Sequence, residues 1–133
     1  MLTLDVSNKI VSAAIKKAEE LEQKISIAVV DRNGLLVNFR RMEGAFPVSD
    51  KFSISKAFTS GTLGMPTKDI EAYSLPGKPY YGIDSLEGGK FTTIAGGMPI
   101  KDAKGNVIGG VGVGGSYDVL QDEDCANTGL KAM

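Results

Sequence analysis

Between residues 6 and 21 apolar side chains recur at Val6, Ile10, Val11, Ala14, Ile15, Ala18 and Leu21, with Lys16, Lys17, Glu19 and Glu20 between them. That spacing gathers the apolar set on one side of a helix, and Thr3 or Asp5 offers an oxygen to the free amides of its first turn. The pattern then shortens. Residues 25–30 and 35–39 are apolar runs of strand length, separated by Asp31-Arg32-Asn33-Gly34. Asn-Gly accepts the positive φ angles of a tight turn, so this stretch predicts a β-hairpin.

Helical spacing returns over residues 48–63, with Ser49 or Asp50 as cap and Gly61 and Gly64 as terminators. A short second helix, 67–73, is expected to start on Thr67. Residues 74–90 hold two Pro and four Gly around Tyr80-Tyr81, an irregular excursion of the kind that often carries function. The last third reads as strands over 91–95, 98–101 and 107–113, with a bend at Gly96-Gly97 and a turn over 102–106. An acidic helix over 118–131, capped by Ser116, closes the chain. The order α-β-β-α-α-β-β-β-α predicts an α+β domain with a mainly antiparallel, five-stranded sheet. All 133 residues are expected to form one domain.

Composition narrows the chemistry. The chain has 15 basic and 16 acidic residues and a net charge of −1, which argues against a nucleic-acid partner. It has no His and one Cys, which removes imidazole bases, catalytic triads, His ligation of metal or haem, and internal disulfides. The start shows no secretory leader, and no apolar run approaches the roughly 18 residues of a membrane span. The expectation is a cytoplasmic protein with no membrane partner.

Several motifs have competing readings. Gly110, Gly112 and Gly115 form G-x-G-x-x-G, yet no second strand follows to complete a dinucleotide fold, so the glycines indicate close backbone or subunit approach. A lesser option is that amides from Gly114 to Tyr117 hold an anion. Arg40 and Arg41 point to opposite faces of a strand and serve either as a carboxylate clamp or as structural ion pairs with Glu43. Asp122-Glu123-Asp124 spreads round a helix and reads as a solvated acidic face rather than a metal site. Cys125 has no basic neighbour to activate it, and Tyr80-Tyr81 reads as an anchor of the excursion on the core.

The block Val29-Val30-Asp31-Arg32-Asn33-Gly34, continuing through Val37-Asn38-Phe39-Arg40-Arg41-Met42-Glu43-Gly44-Ala45-Phe46, resembles the GlcG/HbpS family, which includes the C-terminal domain of PduO-type proteins. Ser55-Lys56-Ala57, Pro79 with Tyr81-Gly82, Gly96-Gly97-Met98-Pro99-Ile100, Val111-Gly112-Val113 and Gln121-Asp122-Glu123 extend the resemblance along nearly the whole chain. It implies a profilin-like α/β/α sandwich, homo-oligomeric assembly and small-molecule binding. Relatives of this kind bind or degrade haem, sense redox state, or accompany cobalamin-dependent diol, glycerol and glycolate metabolism. Many carry His where this chain has Leu35. Haem is therefore a candidate cofactor only through Met, Tyr, Lys or Cys. Many also carry Ser before the paired Gly near the end, where this chain reads Gly114-Gly115-Ser116.

Together these readings predict an oligomeric, non-catalytic accessory protein for a small ligand or tetrapyrrole, either haem or cobalamin-related. Arg40, Arg41, Glu43 and Phe46 would form one wall of its site and Gly96, Gly97, Met98 and Pro99 another, with Lys56 and Tyr81 as further ligand contacts. Two alternatives stand beside it. One is an enzyme of small carbonyl compounds or hydroxy acids using Asp31, Glu43, Lys56 or Tyr81 for proton transfer. The other is a scaffold that packs residues 107–113 against another subunit.

Overall fold

The structure, a computed structural model, describes residues 1–133. Its order is α1 (Leu4–Glu20), β1 (Ser26–Asp31), β2 (Leu36–Arg41), α2 (Ser49–Leu63), α3 (Thr67–Ser74), a 3-10 segment (Ile83–Gly89), β3 (Gly97–Lys101), β4 (Val107–Gly114) and α4 (Val119–Lys131). The sheet has four strands in the order β2-β1-β4-β3, and every neighbouring pair is antiparallel. The expected α+β class and antiparallel sheet are present. The expected fifth strand over 91–95 is not. Phe91 instead sets its ring edge-on to Phe58 of α2 at 5.0 Å, and the Thr92 amide donates to Thr59 Oγ1 at 3.0 Å. This segment is tied to a helix through side chains and makes no sheet ladder.

Alternation along the central strands decides the layers. Ile27, Val29, Val111 and Val113 join Ile10, Val11, Ala14, Cys125 and Ala126 in one core between the sheet and the pair α1 and α4. Ala28 and Val30 face the other way, onto Ala57 of α2. Gly110, Gly112 and Gly114 share that second face. A Cβ on Gly112 would collide with the Ser53 carbonyl oxygen and the Ala57 amide nitrogen, and one on Gly110 with the Ala57 carbonyl oxygen and Gly61. The glycine-rich strand thus admits the protein's own helix at backbone distance. That overturns the expectation that residues 107–113 are free to pack on a second subunit.

Gly61 belongs to the same contact. It lies inside α2, where a Cβ would stand 2.9 Å from Val30 Cγ2, so it is a packing glycine and not a terminator. Gly64, at φ 75°, ends the helix. Several hydroxyls expected as caps are used elsewhere. Ser49 Oγ bonds Ser26 Oγ at 2.8 Å, Thr67 Oγ1 accepts the Gly97 amide at 3.0 Å, and Asp118 rather than Ser116 caps α4. Thr3 caps α1 as expected.

The hairpin turn differs in detail from a two-residue Asn-Gly turn. Gly34 has φ 81°, whereas Asn33 is not among the positive-φ residues. The Asp31 carboxylate accepts the amides of Asn33 and Leu35, and the pairing slips between Val29 and Val30. This is a longer turn with one left-handed glycine and a bulge. Asp102 builds the β3–β4 turn the same way, accepting the amides of Lys104 and Asn106, with Gly105 at φ 85°. Those amides, led by that of Asn106, hold the Asp102 carboxyl below its ordinary value.

Candidate functional site

Helix α2 has two working faces. Ser49, Ser53, Ala57, Ser60 and Gly61 are small and buried, as close contact with a glycine strand requires. The opposite stripe, Lys51, Ile54, Ser55, Phe58 and Thr62, looks away from the sheet and forms the floor of a cleft of about 550 Å³. Its other walls are the hairpin turn, through Asn33, Gly34 and Leu35, and the end of the excursion, through Glu87, Gly89 and Lys90. A volume of this order suits a small organic ligand.

Three relationships shape the cleft. Gly34 lies against Phe58, where a Cβ would come within 2.6 Å of the ring, so the turn glycine permits the ring to seat there. Ser55 Oγ donates to the Lys90 carbonyl oxygen at 2.7 Å and pins the excursion to α2. The Lys90 ammonium stands 5.6 Å from the Phe58 ring centroid, a cation–π distance. The apolar lining is Leu35, Ile54 and Phe58, and two ammonium groups, Lys51 and Lys90, face one carboxylate, Glu87. Lys51 is loosely held, 4.0 Å from Asp50. A second hollow of about 340 Å³ shares Lys51, Ser55 and Gly89 and continues along α2 past Phe52. The combined groove offers an apolar surface, hydroxyl groups and charges of both signs, Lys51 and Lys90 against Glu87 and Asp84.

The residues expected to form two walls lie on or beside strands at opposite edges of the sheet, β2 and β3. Three strand spacings of about 4.8 Å separate them, so one chain does not close them round a ligand. Arg40 and Arg41 do diverge. Arg40 donates to Asn8 Oδ1 of α1 at 3.3 Å, and Arg41 to the carbonyl oxygen of Ala45. Neither pairs with Glu43, which is exposed. Phe46 is half-exposed and meets Phe52 edge-on at 6.3 Å. Gly96, Gly97 and Pro99 are buried and Met98 partly so. Tyr81 is 67% exposed in a separate hollow of the excursion. It does not anchor the loop, while Tyr80 leans on Tyr73 at 6.3 Å. The four groups named for proton transfer are dispersed: Asp31 at the end of β1, Glu43 beyond β2, Lys56 in the interior and Tyr81 on the excursion.

Lys56 is fully buried. Its Nζ donates to Asp122 Oδ2 at 3.0 Å and to the Val113 carbonyl oxygen at 2.8 Å. Desolvation holds its pKa below 10.5, although attraction to Asp122 and their hydrogen bond oppose the shift. Asp122 is therefore no part of a solvated acidic face; its other oxygen accepts the Ser116 amide at 3.0 Å. Glu123 pairs with Lys68 at 3.6 Å. Two amides expected to hold a foreign anion serve the chain itself, that of Ser116 on Asp122 and that of Tyr117 on Gln23 Oε1. Gly96 makes room for the pair, since a Cβ there would lie 2.8 Å from Lys56 Nζ. Cys125 is buried, and desolvation followed by the charges of Asp122 and Asp124 pushes its thiol to about 12.

Residues 2–131 match a family model described as "Haem degrading protein HbpS-like". The chain belongs to this HbpS-like family. Among curated relatives it is 33% identical over 132 residues to the corrinoid adenosyltransferase PduO of Citrobacter freundii, covering 99% of this chain and 39% of that protein. The chain thus spans well under half of that relative. It is 30% identical over 113 residues to protein GlcG of Escherichia coli K12, covering 85% of this chain and 81% of GlcG. Its structure is similar to that solved for a PduOC–haem complex, with a TM-score of 0.93, 30% identity and coverage of 99% and 94% of the two chains. HbpS-like membership and these likenesses fit an accessory, ligand-binding role. No helix is long and apolar enough to cross a membrane.

Sequence reading missed Lys51, Ile54, Phe58 and Lys90. A signal was present: apolar residues fall on both sides of α2, one side more than a helix lying on a sheet needs to bury. In the sequence Leu35 stands out as the position where many relatives carry His. The structure places it in the cleft.

Proposed function

We propose that this chain is a non-catalytic accessory protein that holds a tetrapyrrole or similar small ligand in the α2 cleft. The carrying observation is the cleft itself, where Leu35, Ile54 and Phe58 offer an apolar surface beside the ammonium groups of Lys51 and Lys90. The HbpS-like family description and the haem complex of PduOC support the ligand class. The residues present suit the faces of a flat macrocycle and the carboxylates of haem. Of the candidate iron-ligating types, the cleft lining holds only Lys, with no Met, Tyr or Cys. When bound, haem would supply a redox-active iron; the chain's own part is to hold the ring and exclude water from one face.

Self-assembly and a place beside cobalamin-dependent diol, glycerol or glycolate metabolism belong to the same proposal. The corrinoid adenosyltransferase relative supports the second of these.

Titration with haem and with cobalamins, followed by absorption and by thermal unfolding, tests the reading. Saturable binding of one of them, with a raised Tm, supports it. No spectral change and no stabilisation by either would overturn it.

A further inference from the structure

We infer that the α2 cleft selects a planar ligand bearing a free carboxylate, and that Lys90 is the residue that reads that group. The inference deepens the proposed tetrapyrrole reading and rests on it. Phe58 is the one aromatic ring lining the cleft, and the Lys90 ammonium stands over it at 5.6 Å from its centroid. A flat ring stacking there must displace that ammonium. Displacing it forfeits the cation–π contact, so a neutral ring meets an opposing term.

A ring with a pendant carboxylate instead gives the ammonium a stronger partner at the cleft mouth. The Lys90 backbone is tied to α2, because Ser55 Oγ donates to its carbonyl oxygen at 2.7 Å. Only the flexible side chain swings, and its charge stays at the rim. Lys51 supplies a second ammonium on the same cleft, opposed by Glu87 in the cleft and by Asp84 in the adjoining hollow. Of the two tetrapyrrole classes considered above, porphyrins of the haem type carry free carboxylates, whereas the side chains of cobalamins are amides. The cleft is therefore matched to the former.

The test compares protoporphyrin IX with its dimethyl ester, both added from the same dilute detergent to wild type, Lys90→Met and Lys51→Met. Absence of iron from both probes removes metal ligation from the comparison. Wild type is expected to favour the diacid by about tenfold, equivalent to 1.4 kcal/mol. Lys90→Met is expected to shrink that preference to about threefold or less and to tighten ester binding, because the Phe58 face is then uncovered. Lys51→Met is expected to weaken the diacid and leave the ester unchanged. Equal binding of both probes by wild type overturns the carboxylate inference while leaving the tetrapyrrole reading in place. Binding of neither probe also overturns the carboxylate inference, and the haem and cobalamin titrations described above decide the tetrapyrrole reading separately. Lys90→Met retaining the full preference removes Lys90 from the role, and circular dichroism confirms that each variant is folded.

Discussion

Lys56 Nζ and Asp122 Oδ2 meet at 3.0 Å with side chains 1% and 2% exposed, and through them α2 on one face of the sheet is tied to α4 on the other. The pair passes the end of the sheet at Gly96, where any side chain would crowd Lys56 Nζ. A buried ammonium that keeps two protein acceptors is a structural fastening between layers. It is also poorly placed to meet a ligand in the α2 cleft, which opens on the other side of the helix.

Removing one partner leaves the other charged and unpaired in the interior. Lys56→Met or Asp122→Asn should each lower unfolding free energy by about 3–5 kcal/mol in urea titrations. Lys56→Met combined with Asp122→Leu should recover most of that loss. A double variant as unstable as the sum of the singles would show that the two residues do not act as a pair.

Alkaline pH should reveal two opposite contributions. The unfolded chain keeps the Lys56 proton to 10.5, whereas burial lowers the folded value, so between the two the unfolded state binds more protons. This group's contribution to stability rises with pH in that window. Cys125 behaves in reverse. Its folded value is about 12 against an ordinary 9.0, so the folded state binds more protons and stability falls by up to about 1.4 kcal/mol per pH unit between them. Urea unfolding from pH 8 to 11 should show a shallower alkaline decline for Cys125→Ala than for wild type. Identical slopes would contradict the buried, protonated thiol.

The contact of β4 with α2 should tolerate no side chain. Gly112→Ala places a methyl against the Ser53 carbonyl oxygen and the Ala57 amide, and strain of this kind costs about 1–3 kcal/mol or more. Thermal unfolding should show a Tm lower by several degrees, with weakened near-UV circular dichroism. An unchanged Tm would mean that helix and strand are farther apart than described.

Leu35 is 65% exposed and lines the cleft, so Leu35→His should add an imidazole to the proposed ligand site at little cost to the fold. Absorption spectroscopy with haem is expected to show tighter binding and an imidazole-ligated spectrum that wild type lacks. A variant indistinguishable from wild type would place the ligand elsewhere.

Much of the fold was legible because it is written in local patterns. The period of α1, the Asp-x-x-Gly turns at Asp31 and Asp102 and the glycines of β4 each follow from near-neighbour chemistry. Residues 91–95 misled because an apolar run of strand length says nothing of whether a ladder partner exists; Phe91 had Phe58 to pack against instead. Asp122 misled for a related reason. Three acidic residues in a row describe a polar surface until a cation 66 positions away comes to lie beside one of them.

The candidate site was less legible. Lys51, Phe58, Leu35 and Lys90 come from a helix, a hairpin turn and a long excursion, and no spacing in the chain relates them. The sequence by itself determined the alternation, the turns, the absence of imidazole and the need for a backbone-close contact along β4, since these depend on residue type and immediate neighbours. Only the tertiary structure decided that the contact is with α2 and that Lys56 is buried against Asp122. It also decided that the outward stripe of α2 is the floor of a cleft. Each of these depends on which distant surfaces meet, and that is set by the packing of the whole sheet between its helices.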